Sequence, residues 1–445
     1  MKSKFANNKT KGNVTHIYKE NIPEIYLFSF LIIYLLIVLY VLRDTIYKNI
    51  IIFYIGPCVL LFKLSFICIP KFIQFLNQKG NNIYICICMY KYVCIYIYKD
   101  CVYFIHLYYI STLYAFIIHL YTTFLLLLEY NAGLLSIIFM TFLGFIDDVL
   151  ELKWRYKVLL PFFASLPLLL CYSGETNIRI PNFLIFIFKK KIINIGFFYY
   201  VYIILLSVFC TNTINIYAGI NGLEIGQTLI ISIFISIHNL IVRLLKSENI
   251  RRGYNNAFTL SIWFYLHLTR FSNIPTLLLH NSQEIVLNIG SSDISGLLIL
   301  KQHFLSVIFT LPFISINLAT FAFNFYPSKG FVGNTLTYFC GIFLAVVSIF
   351  GHYSKTLILF LIPQFLNFFL SLPQLFNFIP CPRHRLPIID HKTNKLTYSY
   401  NFTLINLILY IFGPLSEYHL VIILLFLQFV TCSIGLFLRY FIDTT

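Results

Sequence analysis

Asp147 and Asp148 stand side by side at the end of a long apolar run, in the segment Gly144-Phe145-Ile146-Asp147-Asp148-Val149. Neighbouring carboxylates repel, so a pair held at a membrane border calls for a cation. Mg2+, which takes hard oxygen ligands, suits that role. A basic turn with Lys153, Arg155 and Lys157 follows. Taken alone, these residues also fit a solvated helix end with snorkelling cations. Three more polar clusters sit between apolar runs. Residues 211–224 hold Asn212, Asn215, Gly219, Asn221, Gly222 and Glu224. Such a polar, closely approachable backbone suits base or phosphate contacts, or a broken helix lining a transporter cavity. Residues 326–335 form a turn of similar character that contains Phe331 and Asn334. Residues 380–387 place Arg383, His384 and Arg385 in a proline-stiffened loop, where guanidinium forks match phosphate oxygens.

These clusters must be positioned by a chain built for a bilayer. Of its 445 residues 59% are hydrophobic and 11% charged, with a mean hydropathy of +0.82. Soluble domains carry about 25% charged residues, so an ordinary cytosolic enzyme is excluded. Apolar runs of spanning quality, about 20 residues each, fall near 25–42, 50–69, 110–128, 132–146, 158–172, 192–210, 225–245, 303–326, 335–351, 356–379 and 418–440. The expected fold is an all-α polytopic membrane protein of about ten transmembrane helices, with the site-bearing loops on one face. The net charge of +16 is read as basic residues flanking spans, against anionic headgroups or an anionic ligand. No polar segment carries a basic stripe interleaved with aromatics, so nucleic acid is not an expected partner. The 11 cysteines sit mostly within apolar runs, where a free thiol packs as a small hydrophobe.

Parity joins the four clusters. Two spans separate Asp148 from Asn215, two more separate Asn221 from Phe331, and another two separate Asn334 from Arg383. All four then face one side of the membrane. Acids, amides, an aromatic and arginines on one face suggest a metal-assisted site for an anionic diphosphate. A multispan transporter would set such groups near the midplane instead. Outside this frame, residues 1–50 form an N-terminal extension with a further apolar segment, and 51–445 the transmembrane domain. Within that domain, 246–302 reads as an inserted loop, 380–417 as a second polar loop, and 173–191 as a short one with β-like alternation. Residues 80–109 are atypical: 80–101 alternates Ile, Tyr and Cys with no polar face, and reads as a low-complexity insertion or as translated non-coding sequence.

At these clusters the sequence closely resembles the polyprenyl-phosphate N-acetylhexosamine-1-phosphate transferases of glycosyltransferase family 4. The likeness is carried by GFIDDVLELKWRYKVLLPFFASLPLLL, VFCTNTINIYAGINGLEIGQ, YPSKGFVGNTLTYFCG, GHYSKTLILFLIPQFLNFFLSLPQL, IPCPRHRLP and NFTLINLILYIFGPLSE. It covers roughly 130–245 and 303–445. The resemblance implies a ten-helix enzyme of the endoplasmic reticulum membrane, a homodimer with its site facing the cytosol. It implies transfer of GlcNAc-1-phosphate from UDP-GlcNAc to dolichyl phosphate with Mg2+, the step that tunicamycin blocks; the alternative within the family is another donor or acceptor. Carried over position by position, Asp147 and Asp148 are the catalytic acids and Lys157 helps to hold them and the phosphates. Asn215 is the metal-ligand amide. Asn221 and Phe331 read and stack on the uracil, close to the Gly219 backbone. Arg385 grips the pyrophosphate, with Arg383 and His384 by the GlcNAc and phosphates.

Two departures from the family pattern matter. Asn334 stands where the family has a metal-binding aspartate, so an amide oxygen without charge takes that place. The family's D-x-N-K and P-E-S-x-G segment is missing after Phe75-Leu76-Asn77-Gln78-Lys79, where the Ile/Tyr/Cys repeat follows. Basic residues are spread over both sets of loops, so charge does not choose the orientation. The cytosolic placement is implied by resemblance alone, and it would leave the sequon at Asn401 unglycosylated.

Overall fold

The computed structural model describes residues 22–42, 48–78, 124–150, 152, 154–172, 176–179, 189, 192–253, 291–330, 332–376, 378–380, 382, 385–390, 393 and 395–442. The stretch 80–109 lies outside them. The elements in chain order are α1 (Glu24–Leu42), α2 (Lys48–Gln78), α3 (Phe124–Leu150), α4 (Trp154–Ala164), α5 (Leu166–Leu170), β1 (Asn177–Arg179) and β2 (Ile192–Asn194). There follow α6 (Phe197–Ile216), α7 (Leu223–Gly253), α8 (Ser291–Asn324), α9 (Asn334–Phe350), α10 (Ser354–Phe360) and α11 (Ile362–Leu375). The chain ends with β3 (Ile388–Asp390), β4 (Lys395–Thr397), α12 (Leu404–Phe412), α13 (Glu417–Phe437) and a closing π-helical turn, Leu438–Ile442. In lipid every backbone polar group must be bonded within the chain, and long uncharged runs meet that demand as helices.

Among the described residues seven helices are long and apolar enough to cross a membrane. An eighth crossing is available if α10 and α11, bent by 66°, form one broken span, and Leu159–Leu170 and Asn334–Phe350 are shorter apolar helices. This is a polytopic all-α membrane protein. The bend falls where Pro363 interrupts the amide ladder just inside α11. Gln428 of α13 satisfies the end of α10 at this break by donating from Nε2 to the Phe360 carbonyl at 2.8 Å. Gln364 in turn donates to Gln428 and to Gln227 of α7, each at 2.7 Å.

Several boundaries differ from the expectation. The runs 110–128 and 132–146 do not part at Glu129-Tyr130-Asn131, because α3 passes through all three. Glu129 is only 5% exposed, so this charge lies within a helix and does not mark a loop. Residues 110–123 lie outside the described set. The expected loop 246–302 is entered from both sides by helix, since α7 continues to Gly253 and α8 begins at Ser291. The run 158–172 is broken at Ser165, between Pro161 and Pro167. The alternating segment near 177 does form a strand, β1, paired antiparallel with β2 through Ile178↔Ile193.

α9 lies at the centre of the bundle. Every residue from Thr337 to Phe350 is buried, and the helix packs on α3 along one side and α6 along another. Lipid tails are as apolar as leucine, so such packing depends on close backbone approach at small residues. Gly144 of α3 provides one approach: a Cβ there would come within 2.8 Å of Thr335 Cα and 2.9 Å of the Asn334 carbonyl. Gly341 of α9 provides the other, since a Cβ would meet Thr211 Cα at 2.5 Å and the Cys210 carbonyl at 2.7 Å. Backbone atoms cannot swing aside. Gly341→Ala is therefore expected to cost about 1–3 kcal/mol by overpacking, read as a lower unfolding temperature of the purified chain in detergent. An unchanged unfolding temperature would show that α6 and α9 can separate without penalty.

Candidate active site

The acids that end α3 are 1% and 2% exposed, for Asp147 and Asp148 respectively. A carboxylate in the last turn of a helix faces the negative end of the helix dipole, so the pair needs donors from elsewhere. Asp148 finds them at the start of α9. Gly333, the residue before that helix, has no side chain with which to cap it. Asp148 serves as the cap instead, its Oδ1 accepting from the Asn334 N–H at 2.9 Å. Its Oδ2 accepts from the Thr335 N–H at 2.9 Å and the Thr335 hydroxyl at 2.7 Å. A Cβ on residue 333 would lie 2.8 Å from Asp148 Oδ2, so glycine is what lets the carboxylate reach the helix end. The positive end of the α9 dipole then offsets the negative end of α3.

Asp147 is held differently. Its Oδ1 accepts from the Leu152 N–H at 3.1 Å. Its Oδ2 faces the Lys157 ammonium at 2.8 Å and accepts from Asn334 Nδ2 at 3.0 Å. The Lys157 side chain is 25% exposed while the Asp147 carboxylate is fully covered, so this ion pair opens toward solvent only on the cation's side. Asn215, at the end of α6, joins through α9 as well: the Thr337 hydroxyl is 3.1 Å from its Oδ1 and 3.0 Å from the Asn334 carbonyl.

The remaining clusters close on the same end of the bundle. Gly219 and Gly222 have φ of +123° and +89°, a region that only glycine enters freely, and they turn the chain from α6 into α7. The Gly222 N–H donates to Asn324 Oδ1 at 2.9 Å. Asn324 Nδ2 donates onward to the Gly330 carbonyl at 3.0 Å, tying the Gly219–Gly222 turn to the loop that leads into α9. A Cβ on Gly219 would meet Leu386 at 2.7 Å, so the segment carrying Arg385 lies against that turn. Phe331, Arg383 and His384 lie outside the described residues. Thus Asp147, Asp148, Lys157, Asn215 and Asn334 form one bonded group, with Gly219, Asn221 and Arg385 on the loops packed beside it.

Several further partners leave no mark in the sequence. The Gly219 N–H donates to Glu224 Oε1 at 2.8 Å. Asn221 gives both its backbone N–H, at 3.1 Å, and its Nδ2, at 2.8 Å, to Glu417 Oε1. With its Nδ2 turned to Glu417, Asn221 presents its amide oxygen on the other side. Glu417 looks in the sequence like an ordinary acid in the first turn of a helix, and nothing local reveals that it serves a loop about two hundred positions away. Thr335, Thr337 and Tyr338 carry no signal beyond their place next to Asn334.

Among the described residues no three His, Cys, Asp or Glu side chains converge to hold a metal ion. Were a cation to bind here it would draw on amides as well: Asp147 and Asp148 would supply charge, and Asn215 and Asn334 neutral oxygens. The donors are hard oxygens throughout, which fits Mg2+ and not a soft metal. Asn334 has its Nδ2 turned to Asp147, so its oxygen is the atom left for a ligand.

Comparison with known proteins gives a consistent result. The family model described as glycosyl transferase family 4 matches residues 130–352. A relative from Dictyostelium discoideum is 43% identical over 317 residues, covering 70% of this chain and 69% of its own length. One from Schizosaccharomyces pombe is 34% identical over 362 residues, covering 71% and 70%. One from Saccharomyces cerevisiae is 32% identical over 343 residues, covering 68% and 66%. All three are named UDP-N-acetylglucosamine–dolichyl-phosphate N-acetylglucosaminephosphotransferase. The family match includes the acid pair, Lys157, both amides and the Gly219–Gly222 turn.

Proposed function

The chain belongs to glycosyl transferase family 4, and on that premise we propose that it transfers GlcNAc-1-phosphate from UDP-GlcNAc to dolichyl phosphate. The products are UMP and GlcNAc-diphosphodolichol, the first intermediate of the N-glycan lipid precursor. The observation that carries this reading is the bonding of Asp147 and Asp148 to Lys157, Asn334 and Thr335, in a chain 43% identical to a relative named for that reaction.

The acceptor phosphate needs little activation, since a phosphomonoester with a second pKa of about 6 is already largely dianionic at neutral pH. The barrier is mainly one anion approaching another. Catalysis then consists of neutralising and aligning the phosphates. Lys157 is the cation of the bonded group able to reach toward a phosphate from its partly exposed position. Asp148 holds the start of α9 against the end of α3 and so fixes Asn334 and Thr337 relative to Asp147. Mg2+, held by Asp147, Asp148, Asn215 and Asn334, would supply charge neutralisation for the diphosphate. Asn221, Gly219 and Phe331 are assigned to the uracil, with the Asn221 oxygen free to accept from a base N–H. Arg385 is assigned to the pyrophosphate, and Arg383 and His384 to the GlcNAc and phosphates. The proposed setting is the endoplasmic reticulum membrane, with a homodimer whose sites face the cytosol and the Asn401 sequon on that same side. A lipid acceptor accounts for an enzyme made almost wholly of membrane helices.

The test is direct. Membranes expressing the chain, given labelled UDP-GlcNAc, dolichyl phosphate and Mg2+, should form a labelled lipid product that tunicamycin suppresses. A folded chain that forms none overturns the reading.

A further inference from the structure

Side chains from α7, α8 and α13 hold the Gly219–Gly222 turn. The Gly219 N–H goes to Glu224, the Gly222 N–H to Asn324, and the Asn221 N–H to Glu417. The contact with Glu417 differs in kind. The backbone bond alone would steady the turn, yet Glu417 Oε1 also takes the Nδ2 of the Asn221 side chain, at 2.8 Å. One carboxylate oxygen thus fixes both the backbone and the amide of a single residue. Its own position is firm, because Leu420 and Val421, one turn further along α13, are fully buried in a core shared with Ile220 and Leu223. An unrestrained asparagine amide turns over readily, and its two ends present opposite chemistry. With the oxygen outward it accepts from a ring N–H, which uracil carries at N3. With the nitrogen outward it donates to a bare ring nitrogen, which cytosine carries at the same place. A carboxylate only accepts, so Glu417 keeps Nδ2 on its own side, and a flip would set oxygen against oxygen.

From this contact we propose that Glu417 is a positioning residue that sets base specificity: by holding the Asn221 amide in one orientation, it makes the site take uracil and refuse cytosine. Asn221 Oδ1 meets the N3–H of uracil, whereas the lone pair at N3 of cytosine faces the same oxygen with no proton between them. Discrimination by such a mismatch is a repulsive device, stronger than a missing contact. The inference rests on the reading of Asn221 as part of a uridine-nucleotide site.

The experiment measures equilibrium binding of UDP and of CDP, with Mg2+ present, to the chain purified in detergent, for wild type, Glu417→Ala and Glu417→Gln. Wild type should bind UDP about tenfold more tightly than CDP or better, the scale of one hydrogen bond made or denied. Glu417→Ala should lose most of that ratio. Glu417→Gln should keep it, since a glutamine oxygen accepts from the same two donors. Damage to packing alone would weaken both nucleotides in proportion and leave the Glu417→Ala ratio at the wild-type value, and that result overturns the proposal. A Glu417→Gln as unselective as Glu417→Ala overturns it equally. Should Glu417→Ala fail to fold, as thermal unfolding would show, Asn221→Ala takes its place: loss of the ratio supports the proposal, and a wild-type ratio overturns it. A wild type that binds UDP and CDP alike sinks this inference and leaves the transferase reading standing. One that binds neither brings down that reading and this inference with it.

Discussion

Asp148→Ala is expected to abolish transfer, by about a thousandfold or more, and to lower stability by roughly 2–4 kcal/mol, because hydrogen bonds to a charged group are individually strong and their buried donors would be stranded. Three donors at the start of α9 converge on this carboxylate, and the preceding residue, Gly333, offers no substitute. Losing them frees the N-terminus of the helix at the centre of the bundle. Asn334 and Thr337 would move with it, and through Thr337 so would Asn215. Asp148→Asn separates structure from chemistry. Its amide oxygen still accepts from one α9 N–H, so most of the stability should remain while transfer stays lost. Thermal unfolding and labelled-lipid formation on the same preparations check both. An active Asp148→Asn, within about tenfold of wild type, would show that the carboxylate is a helix cap and not part of the chemistry.

Asn334→Asp is the second large effect, and its sign depends on the cation. In the present chain the amide donates to Asp147, so the group carries two carboxylates, two amides and one ammonium. Exchanging the amide for a carboxylate removes that donor and places a third negative charge beside the other two. Without a divalent ion this costs about 1–3 kcal/mol, from like-charge repulsion and the lost bond. With one present, the added charge strengthens binding, because ligand charge sets the affinity of oxygen sites. The variant should therefore melt lower than wild type in EDTA and gain more on adding Mg2+. It should reach half-maximal transfer at about a tenfold lower Mg2+ concentration. Melting curves that respond identically to Mg2+ in the two proteins would remove Asn334 from the cation site.

Much of the site could be anticipated from the order of residues. An acid pair ending one apolar run, amides ending another, and a count of crossings between them are one-dimensional facts. A bilayer turns such facts into geometry, since spans must be helices and polar clusters are confined to their ends. Asp147, Asp148, Asn215 and Asn334 accordingly meet at one end of the bundle. The same logic misleads at Glu129, where a charge suggests a loop and the helix in fact continues, because its neighbours bury the side chain.

The membrane class, the run of apolar helices and the gathering of the polar clusters at helix ends all follow from local composition and length, and could be read along the chain. Other features exist only once the helices have packed: Asp148 caps α9, Asn334 turns its amide to Asp147, and Glu417 accepts from the backbone N–H and the Nδ2 of Asn221. Those pairings depend on how near two distant helices can come. That distance is set by facing surfaces, at Gly144 against Thr335 and at Gly341 against Thr211, and no stretch of chain read alone carries the shape of the surface it will meet.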